Sequence, residues 1–519
     1  MHAPAAGRLA EVLGALSLAC DVAFAFPLEK AMRTSVLAVE LGRQHGLPND
    51  ALRDVYYATL LTYAGCTAFS HEVSLMSAGD DIAISNLMIA LDIADPLDVL
   101  TKLVTKVGAG RGLAERTRSV AHVLFEGPKN GEKHAFAICD VATHVADLVG
   151  MSGDVRAALK QICERWDGKG GPQGLAGEAL LLPMRIVNVA HIAEIAHHRA
   201  GRAAAREVVK KRAGGQFDPG IAKTFTAHAD ALFDAIEREP LWQSFLEAEP
   251  EPRATASAGR FDDVAVAFAG VADLKSVWTL GHSDGVARLA DAAAEAVGLD
   301  DAEKTLLHRA ALLHDLGRLS APNRIWNKPG KLSRSEWELV RMHSYWTERV
   351  LSQSALLRDA AELASAAHER LDGTGYHRAV PSALLQRPAR ILAAADAYHA
   401  MREPRAHRPP LGKEEAAEIL VGEVAGCRLD REAVTAVLDL AGAGKRPERA
   451  VWPRGLTDRE VEVLRLLARG RSNKEIATAL GISPRTAQHH VIHIYQKIER
   501  NSRAGAALFA TEHRLLDST

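Results

Sequence analysis

The strongest constraint on the fold is that much of the first half of the chain reappears in the second. The segment starting at Asp21 lies without a gap on the segment starting at Asp273: GLPND at 46–50 falls on GLDDA at 298–302, and LLTYAGCTAFS at 60–70 falls on LLHDLGRLSAP at 312–322. A second block puts ERWDGKGGP at 164–172 on ERLDGTGYH at 369–377, and RIVNVAHIAEI at 185–195 on RILAAADAYHA at 390–400. A weaker likeness, GGQFD at 214–218 on GCRLD at 426–430, needs a gap. One structural plan is therefore used twice. Aromatics make up only 5% of the chain, and Ala- and Leu-rich stretches recur with apolar residues at helical spacing, so the plan is helical and the expected fold class is all-α.

The copies differ in their polar residues. Where the second has His282, His314, Asp315, His368 and Asp396, the first has Lys30, Thr62, Tyr63, Cys163 and His191, while glycines and apolar positions survive. Loss of the polar set alone says that those positions serve chemistry rather than packing. An Asp in an apolar run is rarely buried unless it is paired or bound to a cation, and a metal ion accounts for both members of the His314-Asp315 pair. Imidazole and carboxylate without thiolate suit Fe, Mn, Zn or Co alike. A protonated lysine cannot ligate a metal, so the first copy is expected to be metal-free. His308, His399 and His407 read as surface residues.

Composition sets wider bounds. A chain of 519 residues exceeds what one core can use. A net charge of −2 with a pI near 6.9 provides no global field for nucleic acid, so any DNA contact falls to a local module. The five cysteines are scattered without a CxxC pair, which suits free thiols in the cytoplasm. No apolar run is long enough for a membrane span. The expected domains are 1–246, with a helical insertion near 71–130, then 261–440 and 456–519, joined by linkers at 247–260 and 441–455.

The spacing of His282, His314-Asp315 and Asp396 resembles the HD phosphohydrolase superfamily. The order HDLGR, NKPGKLS at 327–333, His343, HERLDGTGY at 368–376 and AADAYHAM at 394–401 is similar to its HD-GYP branch. The resemblance implies two tandem HD-type domains, the first degenerate. It implies one or two divalent metal ions on His282, His314, Asp315, His343, His368 and Asp396, with Asp315 and Arg318 catalytic and Arg318, Gly375 and Tyr376 facing a nucleotide or cyclic-dinucleotide ligand. Members of the branch hydrolyse cyclic-di-GMP. Four departures point to a mononuclear or weak dinuclear site: Ala367 precedes His368 where the branch has a second histidine, Arg318 stands where the branch has lysine, His377 replaces the proline of Gly-Tyr-Pro, and Trp278 stands where some members have a glutamate.

From Leu456 the pattern tightens. Thr457 with Glu460 and Ser472 with Glu475 form capping boxes, Ser483-Pro484 opens a longer helix, and Gly470 and Gly481 close the turns. Three short helices with a tight turn before a polar-faced third helix describe a helix-turn-helix, with a fourth helix from about Arg503. Over 455–517 the chain closely resembles LuxR-type DNA-binding domains. Val491, Ile494 and Ile498 form the inward stripe, which leaves Arg485, Thr486, Gln488, His489, His493 and Lys497, together with Lys474, to face double-stranded DNA.

The expected whole is a cytoplasmic transcription regulator, acting as a homodimer without a membrane partner, whose HD domain is a metal-dependent phosphodiesterase coupled to DNA binding. The alternative is a set of non-catalytic HD domains that sense metal and nucleotide, or dimerise, and so switch DNA binding.

Overall fold

The computed structural model describes residues 7–65, 67–76, 80–106, 112–442 and 452–516. Its contacts divide the chain into two compact units, Met1–Val264 and Ala265–Thr519. Among the described residues the only ladder is the two-residue antiparallel pair of Gly7–Arg8 with Thr255–Ala256, and all other regular structure is helical. No helix among them is long and apolar enough to cross a membrane.

The repeat is carried through to individual hydrogen bonds. In the first unit the helix Lys30–Gln44 is opened by Glu29 in the left-handed region, at φ 69°; in the second the helix His282–Ala296 is opened by Gly281 at φ 76°. Each start is pinned by a buried aspartate: Asp21 accepts from the Ala31 amide at 3.3 Å, and Asp273 from the Ser283 amide at 3.0 Å. The next helices, Asn49–Leu61 and Asp301–Leu313, have 13 residues each and end on Thr62 and His314.

Glycines then allow the same close approach in both copies. A Cβ at Gly65 would lie 2.3 Å from the Ile138 carbonyl oxygen, and one at Gly317 would lie 1.9 Å from that of His343, so Ile138 stands where the second copy has a histidine. Buried Glu164 takes the amides of Gln173 and Leu175, as buried Glu369 takes those of Arg378 and Val380. The weak GGQFD likeness also marks a structural correspondence: Arg185 pairs with Asp218 at 2.9 Å and Arg390 with Asp430 at 3.1 Å.

At the centre of the first copy sits a lysine. Lys30 Nζ lies 2.6 Å from Tyr63 Oη and 2.7 Å from His191 Nδ1, fully buried, so three residues from the positions of lost ligands satisfy one another. Burial pulls the Lys30 amine down to about 7 and pushes the nearby Asp21 carboxyl up to about 8.

The stretch between the two HD-type copies is built differently from a linker. The stretch 247–260 reads as a linker because it lacks apolar periodicity, yet it begins inside the helix Leu241–Ala248 and reaches the helix Ala258–Asp273. Between them, buried Glu249 accepts from Arg8, Tyr57 and the Ala254 amide, and the division between units falls later, at Val264. The insertion near 71–130 contributes the helices Asp81–Ala90 and Pro96–Lys106, which pack around Leu91, together with the start of the helix Leu113–Leu148; 77–79 and 107–111 lie outside the described residues. Most of the 441–455 linker, 443–451, also lies outside them.

Lys30 yields a stability prediction. Its folded pKa of about 7 lies below the ordinary 10.5, so the unfolded chain binds more protons between those values and Lys30 depresses stability increasingly as pH falls through that window. Lys30→Met should therefore be at least as stable as wild type at pH 7, with its relative advantage shrinking toward pH 10. Lys30→Ala opens a cavity and should cost about 2–5 kcal/mol. Urea midpoints at the two pH values check both.

Candidate metal centre and nucleic-acid interface

Five segments of the second unit deliver side chains to one point. His282 is the first residue of its helix, His314 and Asp315 follow the end of Asp301–Leu313, and His343 lies within Arg334–Leu351. His368 lies beyond the helix Arg358–Ser365, and Asp396 within Arg387–Arg402. The His-Asp turn is clamped by Thr347, whose hydroxyl donates to the His314 carbonyl at 3.0 Å and accepts from the Gly317 amide at 2.9 Å.

Asp315 is the hub. Its Oδ2 lies 3.5 Å from both His282 Nε2 and His314 Nε2, and its Oδ1 lies 3.4 Å from His343 Nε2 and 4.0 Å from His368 Nε2. Asp396 closes the ring, 3.2 Å from His282 Nε2 and 3.3 Å from His368 Nδ1. All six predicted ligands are therefore together, with one Asp315 oxygen facing each side of the cluster.

The outer nitrogens explain which way the rings point. His314 Nδ1 bonds the Ala311 carbonyl at 2.8 Å, His343 Nδ1 bonds that of Val340, and His282 Nδ1 bonds the Glu403 carboxylate at 2.8 Å. Each Nε2 is left aimed inward, the arrangement that outer partners impose on metal-ligating histidines. Both Asp315 oxygens and the Nε2 atoms of His314, His343 and His368 are buried without a hydrogen-bond partner. Five such atoms around one point would cost several kcal/mol if they stayed unsatisfied, and a divalent cation is the species that satisfies acceptor nitrogens and carboxylate oxygens at once. The residues present fit a metal.

Burial works against charge on Asp315, but Arg318 and His314 hold its carboxyl well below the usual range. Asp396 is likewise held low against burial by His368, His282 and His314. Burial, with His368 and Arg318 nearby, drives His343 down to about 3 against the pull of Asp315, leaving it neutral, as a ligand must be. Arg318 Nη1 approaches Asp315 Oδ2 to 2.9 Å without hydrogen-bonding geometry, and its guanidinium lies 4.7 Å from the centre of the Trp326 ring. It thus borders the cluster with donor capacity to spare.

Other sites are placed differently from the sequence reading. Gly375 is buried against Glu369, where a Cβ would lie 2.4 Å from Oε2, so packing accounts for this glycine. Tyr376 stacks on His368 with ring centres 4.5 Å apart and so backs a member of the cluster. His399 is not a surface residue: its ring lies against His282, the Nδ1 atoms 3.4 Å apart. Glu403, which the sequence reading missed, orients His282 and is in turn held by Arg405 at 2.8 Å. The available signal was helical spacing, since Glu403 lies about two turns beyond Asp396 and one beyond His399. His308, paired with Asp291, and His407 are exposed or nearly so.

The C-terminal module forms as read, with helices Asp458–Ala468, Asn473–Leu480, Pro484–Ile498 and Arg503–Glu512 and both capping boxes in place. Ala487, Val491, Ile494 and Ile498 face inward. Lys474, Arg485, Thr486, Gln488, His489 and His493 are exposed, and so is Ile492, an apolar group on the polar face suited to a thymine methyl. Lys497 departs from the expectation: its ammonium bonds Glu460 at 2.6 Å and the Gly455 carbonyl at 2.9 Å, which ties the helix to its own domain.

Two measurements check these assignments. Glu403→Gln keeps the shape but loses the carboxylate behind His282, and should weaken metal affinity about 10–100-fold in a chelator competition. Arg485→Ala should weaken DNA binding at all sequences and lower the salt slope by about one.

Comparison with known proteins agrees with both regions. Residues 267–433 match the HD domain family and residues 454–510 the family of bacterial regulatory proteins, luxR family. A 3'3'-cGAMP-specific phosphodiesterase 3 of Vibrio cholerae is 28% identical over 79% of this chain and 90% of its own. The 3'3'-cGAMP-specific phosphodiesterase 1 of the same organism is 36% identical over 40% of this chain and 45% of its own. A cyclic di-GMP phosphodiesterase of Thermotoga maritima is 34% identical over 28% and 40%, respectively. The crystal structure of a cyclic GMP-AMP specific phosphodiesterase of V. cholerae shares the fold, with a TM-score of 0.58 at 24% identity over 85% of this chain and 99% of that one. The chain therefore joins an HD domain, homologous to those of cyclic-dinucleotide phosphodiesterases, to a C-terminal LuxR-type DNA-binding domain.

Proposed function

We propose that the HD domain hydrolyses one phosphodiester bond of a cyclic dinucleotide, using one or two divalent metal ions held by His282, His314, Asp315, His343, His368 and Asp396. The observation that carries this reading is the set of inward-aimed, unsatisfied Nε2 and carboxylate atoms around Asp315. A bound ion would supply hydroxide near neutral pH and charge neutralisation at the phosphoryl oxygens. The chain's own residues supply the rest. Asp315, held ionised, stands between the two ligand sets. Arg318 presents a permanent charge to the developing negative charge of the phosphoryl group. His314 and His343 are fully shielded, whereas His368 keeps 17% of its side-chain exposure, so substrate approaches from the His368 side. Relatives named for 3'3'-cGAMP and for cyclic di-GMP support the substrate class.

The LuxR-type domain binds double-stranded DNA as part of a homodimer in the cytoplasm, and ligand state at the HD domain sets its affinity. A second reading, binding without turnover, is favoured by one observation: Ala367 is buried beside His368 and offers no donor, which leaves Asp315, His343 and His368 as the ligand group on that side.

Incubating the Mn-loaded protein with 3'3'-cGAMP and cyclic di-GMP and following products by chromatography separates the two readings. Turnover that Asp315→Ala reduces at least a thousandfold supports the enzyme. Saturable binding of a cyclic dinucleotide with no product from wild type supports the sensor and overturns hydrolysis.

A further inference from the structure

Within the second unit the LuxR-type domain rests against the HD domain beside the turn that presents His282. A Cβ at Gly281 would lie 3.6 Å from Thr511 Cγ2 and 3.9 Å from Leu516 Cδ1, and one at Gly270 would lie 2.8 Å from Leu508 Cδ2. The helix Arg503–Glu512 therefore faces the HD domain, while the DNA-facing side of Pro484–Ile498 stays exposed.

At this seam lies a cavity of about 230 Å³ whose wall comes from both domains. Four guanidinium groups line it: Arg288 and Arg402 from the HD domain, Arg469 and Arg514 from the LuxR-type domain. Its two carboxylates are already matched, Asp284 by Arg288 at 3.3 Å and Glu403 by His282 and Arg405 at 2.8 Å each. Arg402 and Arg469 donate to the carbonyls of Leu411 and Leu516, and neither they nor Arg514 has a carboxylate partner among the described residues. Three guanidinium groups around one cavity, none with a carboxylate partner among the described residues, repel one another until an anion joins them, and a planar guanidinium matches phosphate oxygens in pairs. Trp278 on the same wall adds an aromatic face of the kind on which a nucleobase stacks.

We propose that this seam binds a phosphomonoester, separately from the His/Asp cluster, and that the ligand bridges the HD and LuxR-type domains. Because arginines of both domains contribute, the ligand favours the docked arrangement over a separated one and shifts whatever DNA affinity distinguishes the two. Free phosphate and a nucleoside monophosphate present the same group to these arginines.

The test is calorimetric titration of the full-length protein with guanosine 5'-monophosphate and with inorganic phosphate at constant ionic strength. One saturable site per chain is expected. Arg514→Gly, which suits the φ of 56° at that position, removes an exposed guanidinium and should weaken binding tenfold or more, as should Arg469→Ala. Asp315→Ala should leave binding unchanged. A tighter nucleotide whose advantage disappears in Trp278→Ala assigns the base-stacking part; equal affinities assign the site to phosphate alone. No saturable binding of either probe overturns the proposal, and so does binding that Asp315→Ala removes and Arg514→Gly leaves intact.

Discussion

A carboxylate buried among four histidines is the interaction around which the cluster of the second unit is arranged. Asp315 has no hydrogen-bond partner for either oxygen, yet Arg318 and the surrounding imidazoles hold it ionised. An arrangement of this kind is unfavourable for a chain folding alone and favourable for one that closes on a cation. Much of the local architecture serves it: Gly317 lets the His-Asp turn press on the helix of His343, Thr347 clamps that turn, and Glu403 fixes the ring of His282.

The first unit shows the same architecture without that demand. Lys30 Nζ fills the centre, Tyr63 and His191 bond it, and Ile138 takes the backbone position against Gly65 that His343 takes against Gly317 in the second copy. A lysine amine that reaches the centre from its own helix fills from within the chain the point that the second copy's His and Asp side chains surround. Burial depresses its basicity to about 7, so the substitution keeps the core closed without a permanent charge.

The all-helical class, the repeat and the grouping of His282, His314, Asp315, His368 and Asp396 were legible because each rests on local pattern: helical periodicity, recurring glycines, and His and Asp at positions where packing has no use for them, while His343 entered through the family resemblance. The helix-turn-helix was legible through its caps for the same reason. What escaped the reading depends on contacts distant in sequence. His399 lies in a polar stretch and reads as surface, but the fold turns it onto His282, 117 residues away. Lys497 belongs to a polar helical face, yet Glu460 claims it. The stretch 247–260 lacks periodicity because a buried Glu249 and a short ladder to Gly7–Arg8 hold it, rather than an apolar face.

The central claim is that the cluster around Asp315 is a metal centre. Anomalous diffraction from crystals of the Mn-loaded protein tests it most directly. The account predicts an anomalous peak about 2.0–2.3 Å from an Asp315 oxygen and from the Nε2 atoms of His282 and His314, lost in Asp315→Ala. A wild-type map with no peak within coordination reach of Asp315 would contradict it.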